Sequence, residues 1–315
     1  MDMQEWIEEA ADALSEGDYK RAQRAAEKVI EARHASGFEL LARAWQGMDN
    51  VPRAITVLQD GVSKAPRAWP LWMMLGELRS ENGEYDLALL AYDTALGLEG
   101  VDADDVHVNA AIVHERAGRP EDALMRLHEV RGANAETAVA AARVRAHILL
   151  DMERPDAAAA AAKSGLARVG EEMDGSEVAP LHAALAKAAW MKGDRESALH
   201  HAWEAIEHDP DDIALSLIRE IEGDYSETAK QYRILVHGVL PAGAWDDDEP
   251  RGFWRKYDVV ADDEDDAMGL IRRIEPETVR NSLRADEVEV LDDASDQARG
   301  VAWCSPRAFY TETDE

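Results

Sequence analysis

At 315 residues and 46% hydrophobic content, the chain has room for a repeat array plus a small further domain and is too apolar for wholesale disorder. A formal net charge of -31 argues against nucleic acid phosphates and anionic membranes as direct partners. The single cysteine, Cys304, excludes an intrachain disulfide, and no apolar run is long enough to span a bilayer.

The acidic start, Met1-Asp2-Met3-Gln4-Glu5, lacks the basic and apolar stretches of a secretory signal, so the expected location is the cytoplasm. A short signal then recurs along the chain. It reads Gly17-Asp18-Tyr19-Lys20-Arg21-Ala22, Gly83-Glu84-Tyr85-Asp86-Leu87-Ala88, Gly118-Arg119-Pro120-Glu121-Asp122-Ala123 and Gly193-Asp194-Arg195-Glu196-Ser197-Ala198. Two copies lack the glycine, Asp49-Asn50-Val51-Pro52-Arg53-Ala54 and Met152-Glu153-Arg154-Pro155-Asp156-Ala157. The six alanines are separated by 32, 34, 35, 34 and 41 residues. Glycine can end a helix in the left-handed conformation, the next polar residue can cap the following helix, and alanine lets two helices approach closely. Each unit of about 34 residues is then a helical hairpin that must stack on its neighbours to bury its apolar face.

The pattern resembles the tetratricopeptide repeat family. Trp6 and Trp72 each stand eleven residues before a turn glycine, and the family's large–small pair is matched by Leu41-Ala42, Leu75-Gly76 and Leu185-Ala186. Tyr92 and Ala95 match the second helix, and Pro66 and Pro210 match the closing proline. The resemblance spans residues 1 to about 210. It implies an α-solenoid of about six hairpins that binds another protein and catalyses nothing. The longer last interval places an insertion at Val169–Ser176, read as a loop.

Beyond Pro210, residues 213–221 predict a helix that caps the array. The pattern changes after Gly223. Residues 232–240 and 253–261 read as strands, and Ala267, Leu270, Ile271 and Ile274 have the spacing of an amphipathic helix. Glu287-Val288-Glu289-Val290 alternates like a half-buried strand, and residues 301–310 supply a last strand. The expected architecture is therefore mainly α: a repeat domain over 1–222 with its capping helix, then a small β-β-α-β-β domain over 226–315.

Candidate chemistry is sparse. The acidic runs Asp246–Glu249 and Asp262–Asp266 lack the spacing of a calcium loop and read as a solvated loop and a helix N-terminus. His107 and His114 share a helix face, and His200 and His201 are adjacent, but neither pair has the further ligands that zinc needs. Cys304 with His237, on a strand read as neighbouring, is a formal nucleophile–base pair without an oxyanion loop. No phosphate-cradling glycine loop occurs. No metal, cofactor or enzymatic activity is expected.

The resemblance implies a concave groove lined by the first helix of each hairpin. Carried over residue by residue, the lining is Glu39, Arg43 and Gln46, then Met73, Glu77 and Ser80, then Val108, Ile112 and Glu115, then Ala183, Lys187 and Trp190. Family members that clamp a terminal carboxylate use basic and amide side chains there; here only Arg43 and Lys187 are basic, which disfavours such a clamp. A mixed apolar and acidic lining suits an amphipathic segment carrying basic residues. Two further readings stand beside it: self-association through the groove, and an immunity or antitoxin-like inhibitor whose acidic surface neutralises a basic effector. The acidity also has a source unrelated to any partner, the salt environment of a bacterial-like, Arg- and Ala-rich proteome.

Overall fold

The computed structural model describes residues 2–170, 172–243 and 250–310. The chain packs as two compact units, Met1–Val144 and Arg145–Glu315. The first contains α1 (Met3–Ser15), α2 (Tyr19–Glu31), α3 (Ser36–Gly47), α4 (Val51–Lys64), α5 (Trp69–Glu81), α6 (Tyr85–Leu96), α7 (Ala103–Arg116) and α8 (Pro120–His128). The division falls inside α9 (Ala135–Asp151). No helix among the described residues is long and apolar enough to cross a membrane.

The turns between paired helices form as the sequence predicts. Gly17, Gly83 and Gly118 have φ of 74°, 77° and 70°, the left-handed region, and Asp49 takes the same conformation at 57° without being glycine. The residue after the turn then donates back to the preceding helix, as in Glu84 N to Arg79 O at 2.8 Å and Arg119 N to His114 O at 2.8 Å. Asp18 and Asn50 cap the helices that follow, accepting from the amides of Arg21 and Arg53. Ala22, Ala54, Ala88 and Ala123 are fully buried where helices cross. The large–small pair works at Gly76, where an added Cβ would lie 2.6 Å from the ring of the buried Tyr92, so α5 and α6 cross closely.

The second unit continues with α10 (Pro155–Leu166), α11 (Gly175–Met191), α12 (Arg195–His208) and α13 (Asp212–Glu222). Ala198 is fully buried, but the fifth repeat is shifted by one residue from the expected phase. Glu153, not Met152, takes the left-handed turn conformation at φ 54°, so the buried small residue is Ala158 while Ala157 is only half-buried. Without a glycine the mark that remains is Arg154-Pro155, which aligned with Arg119-Pro120 sets Glu153 opposite the turn residue Gly118. The insertion is also divided differently from the expected loop. Asp174 caps α11, and Gly175 and Ser176 form its first turn, so some of the extra residues lengthen a 17-residue helix.

The remaining elements are β1 (Lys230–Leu240), β2 (Arg251–Ala261), α14 (Glu264–Ile274), α15 (Glu277–Arg280), β3 (Arg284–Asp293), β4 (Gly300–Cys304) and β5 (Ala308–Tyr310). The sheet is antiparallel in the order β3-β1-β2-β4, with β5 also pairing β2. The β-β-α-β-β order is present, with α15 added and the last strand broken at Ser305–Arg307, around Pro306. One apolar core runs from α11–α13 through Tyr232, Ile234, Phe253 and Tyr257 to Ala267 and Ile271 of α14. The capping helix thus supports the sheet as well as the last hairpin. The expectation for β3 fails: it is exposed on both faces, with Val288 and Val290 37% and 54% accessible. Its residues alternate in type, but α14 packs over β2 and β4 and leaves the outer strand uncovered.

Candidate protein-binding face

Within the first unit, α3 and α5 lie side by side in one apolar core that includes Phe38, Ala42, Leu71 and Leu75. Their polar positions carry a cluster of carboxylates. Glu39 pairs with Arg43 one turn on, Nη2 to Oε1 at 2.7 Å. Gln46 donates from Nε2 to Oε2 of Glu81 at 3.2 Å, tying α3 to α5. Glu77 is an exposed residue whose carboxyl is partly desolvated by its neighbours. That desolvation and then Glu81 push its pKa up; Arg43 opposes the shift and Glu39 adds to it. Arg116, at the end of α7, donates from Nη1 to Ser80 Oγ at 3.2 Å.

The expected lining divides into four groups. Glu39, Arg43, Gln46 and Glu77 gather on one surface of α3 and α5. Met73 and Val108 are 9% and 7% exposed and belong to the interior, so they offer a partner almost no apolar area. Met73 packs with Ala88, Tyr92 and Val106, because α5 touches helices on both sides. Ile112 and Glu115 are half-buried on α7. Ala183, Lys187 and Trp190 stand on α11, in the second unit. Ala183 is fully buried. Lys187 lines a hollow of about 590 Å³ with Asp151, Met191 and Leu217. Trp190 is half-buried against the unit's own core, and its Nε1 donates to Glu220 Oε1 at 3.1 Å. An indole already engaged in this way is a poor free anchor. Sequence reasoning missed Glu81 and Arg116. Glu81 had a readable signal, since it follows Glu77 by four residues on a helix and therefore shares its face.

The other candidate chemistry does not assemble. Cys304 and His237 are not on neighbouring strands: β2 lies between β1 and β4. His237 instead meets the hydroxyl of Tyr310, while burial pushes the Cys304 thiol up to about 11. His107 and His114 are half-buried on α7 and held below the ordinary histidine range, first by desolvation. The rings of His200 and His201 are 5.0 Å apart, and among the described residues no set of three ligating atoms converges on them. Asp262 accepts from Ser226 and Thr228, and Asp263 caps α14. The run Asp246–Glu249 lies outside the described residues.

No protein-family model matches the sequence, and no curated protein matches it. Among solved structures, the chain is similar to PilW, a widely conserved type IV pilus biogenesis factor, at 15% identity over 69% of this chain and 98% of that one, with a TM-score of 0.57. It is similar to Pseudomonas aeruginosa PilF at 15% identity over 69% and 96%, with a TM-score of 0.53. A third likeness, to the APC/C hetero-tetramer Cut9–Hcn1, has 14% identity and a TM-score of 0.53; it covers 68% of this chain but only 41% of that one. At these identities the likeness shows the fold alone, a TPR-like helical array; the small antiparallel sheet follows that array in this chain.

Proposed function

We propose that the chain is a non-enzymatic scaffold that takes a segment of a partner protein across α3 and α5, with Glu39, Glu77 and Glu81 facing basic residues of that segment. A TPR-like array supports a protein-interaction role. The observation that carries the finer reading is the gathering of the Glu39, Glu77 and Glu81 carboxylates around Arg43 on one surface of α3 and α5, and the upward direction of the Glu77 pKa agrees with it. A lysine or arginine side chain brought there would relieve that mismatch. Arg43 and Gln46 hold Glu39 and Glu81 in place and would set the register of the segment. Ile112 would add apolar contact. In this reading the repeats, residues 1–222, carry the docking face, and residues 226–315 contribute specificity.

The test is affinity capture with the full chain, washed at rising salt, followed by kinetics on each captured partner. The variant Glu39→Lys/Glu77→Lys/Glu81→Lys should slow association and flatten its salt dependence, with dissociation little changed. Partners that bind this variant with unchanged kinetics would place the docking face elsewhere. Trp190→Ala serves as a contrast: its effect should fall on stability, since the indole packs within its own unit.

A further inference from the structure

Strand β3 closes one side of the sheet, and among the described residues no further strand pairs with it. It is ten residues long, against a usual strand of about 5–6. Over residues 287–290 its register with β1 is regular: Glu287 lies opposite Leu235, Val288 opposite Ile234, Glu289 opposite Arg233 and Val290 opposite Tyr232. Irregularities flank that run on both sides. The middle of β3 thus offers a short, regular row of backbone donors and acceptors to an incoming strand.

The two faces of that row differ. Residues opposite one another on paired strands share a face. Val288 and Val290 therefore stand on the side of Ile234 and Tyr232, which are buried in the core. Helix α14 packs on β2 and β4, and α15 on β1, so the valines lie beyond their cover and remain exposed. Glu287 and Glu289 occupy the other side, and both are exposed. Arg233, opposite Glu289, is already held by Asp258, with Nε to Oδ1 at 2.8 Å and Nη2 to Oδ2 at 2.9 Å. Neither glutamate has a hydrogen-bond or ion-pair partner among the described residues.

We infer that β3 takes up an extended segment of a partner protein in which basic and apolar residues alternate. The segment's backbone pairs along residues 287–290. Its apolar side chains continue the core beside Val288 and Val290, and its basic ones face Glu287 and Glu289. The strand period of two sends the two residue types to the two faces. Charge selects this occupant. A second copy of the chain sets glutamates against glutamates, which is destabilising, whereas lysine or arginine opposite them is favourable. The edge shares no residue with the face on α3 and α5, and neither proposal depends on the other.

Fluorescence anisotropy on the full chain with three capped, labelled peptides tests the proposal. The peptides are Lys-Val-Lys-Val-Lys-Val, the same peptide N-methylated at every backbone nitrogen, and Glu-Val-Glu-Val-Glu-Val. The first should bind. The other two should be weaker by about tenfold or more, one lacking backbone donors and the other the complementary charge. Adding the first peptide should slow hydrogen exchange over residues 285–291. Both readouts are made on wild type and stand whatever a variant's fold. Glu287→Lys/Glu289→Lys, changed only at exposed side chains, should weaken the first peptide by about tenfold or more. Binding and β3 protection should persist in Glu39→Lys/Glu77→Lys/Glu81→Lys, which separates this edge from any contact at α3 and α5. The proposal is overturned if the N-methylated peptide binds as well as its parent, or if no protection appears at β3. It is equally overturned if the folded β3 variant binds like wild type, if the α3–α5 variant abolishes binding, or if the protein alone forms a neutral-pH dimer with β3 already protected.

Discussion

Gly83 and Glu153 offer a controlled pair for testing how the repeat is built. Both hold the left-handed turn between paired helices, Gly83 at φ 77° and Glu153 at φ 54°. A Cβ placed on Gly83 meets no atom within 4 Å, so Gly83→Ala introduces no clash and its effect is purely one of backbone conformation. An L-residue in that region is disfavoured by about 1–2 kcal/mol. Alanine also restricts the unfolded chain, which returns about 0.4–1 kcal/mol. The net expectation is a loss of about 1 kcal/mol for Gly83→Ala, and a gain of about 0.5–1 kcal/mol for Glu153→Gly, where the same terms act in reverse. Urea unfolding followed by circular dichroism measures both. Because the two residues lie in different compact units, hydrogen exchange should locate the first change in α5–α6 and the second in α10. If Gly83→Ala unfolds at or above the wild-type midpoint and Glu153→Gly unfolds below it, the conformational account of the turns is wrong.

Ala88→Leu should overpack a closed helix crossing and lose about 1–3 kcal/mol by thermal or urea melting. Ala158→Leu should do the same while Ala157→Leu costs clearly less, which checks the phase of the fifth repeat directly. Burial alone would raise the pKa of Glu275, but Arg307 and then Arg255 outweigh it, so the folded value lies below the ordinary one. The stability this contributes is present above the unfolded value of about 4.3 and is lost as pH falls through the folded value. Glu275→Gln should therefore lose about 3–5 kcal/mol at neutral pH and show a flatter acid-unfolding curve over that window. With its thiol pushed up to about 11, Cys304 should resist alkylation at pH 8 in the folded protein and react promptly in denaturant.

The repeat was legible because its turns need one special backbone conformation, and glycine advertises that need. Where Glu153 does the same work the glycine is missing, and the phase is then carried by Arg154-Pro155, the counterpart of Arg119-Pro120, one residue later than the expected alignment. The strands were legible from their composition, but their lateral order was not, which is why Cys304 and His237 read as neighbours when β2 separates them. The candidate face shows a similar limit. A helix period says that Met73 and Glu77 lie one turn apart on one side, but not that a neighbouring helix covers one and spares the other. That depends on packing against α6 and α7, which the local pattern of α5 does not contain. The Arg255–Glu275–Arg307 cluster left no sequence signal, since its members come from a strand, the end of a helix and a loop and meet only after the sheet forms.

The uncovered strand β3 bears on how the chain behaves at high concentration. A sheet edge with free backbone groups and exposed Val288 and Val290 is a template for a second copy. Here those valines alternate with Glu287 and Glu289, and Asp292 and Asp293 follow, so two copies meeting edge to edge would bring carboxylate rows together. The repulsion acts over about 8 Å at physiological ionic strength and shrinks to about 3 Å in molar salt. Edge-to-edge pairing through β3 should accordingly be suppressed at neutral pH and moderate salt, and favoured where acid or concentrated salt removes the repulsion.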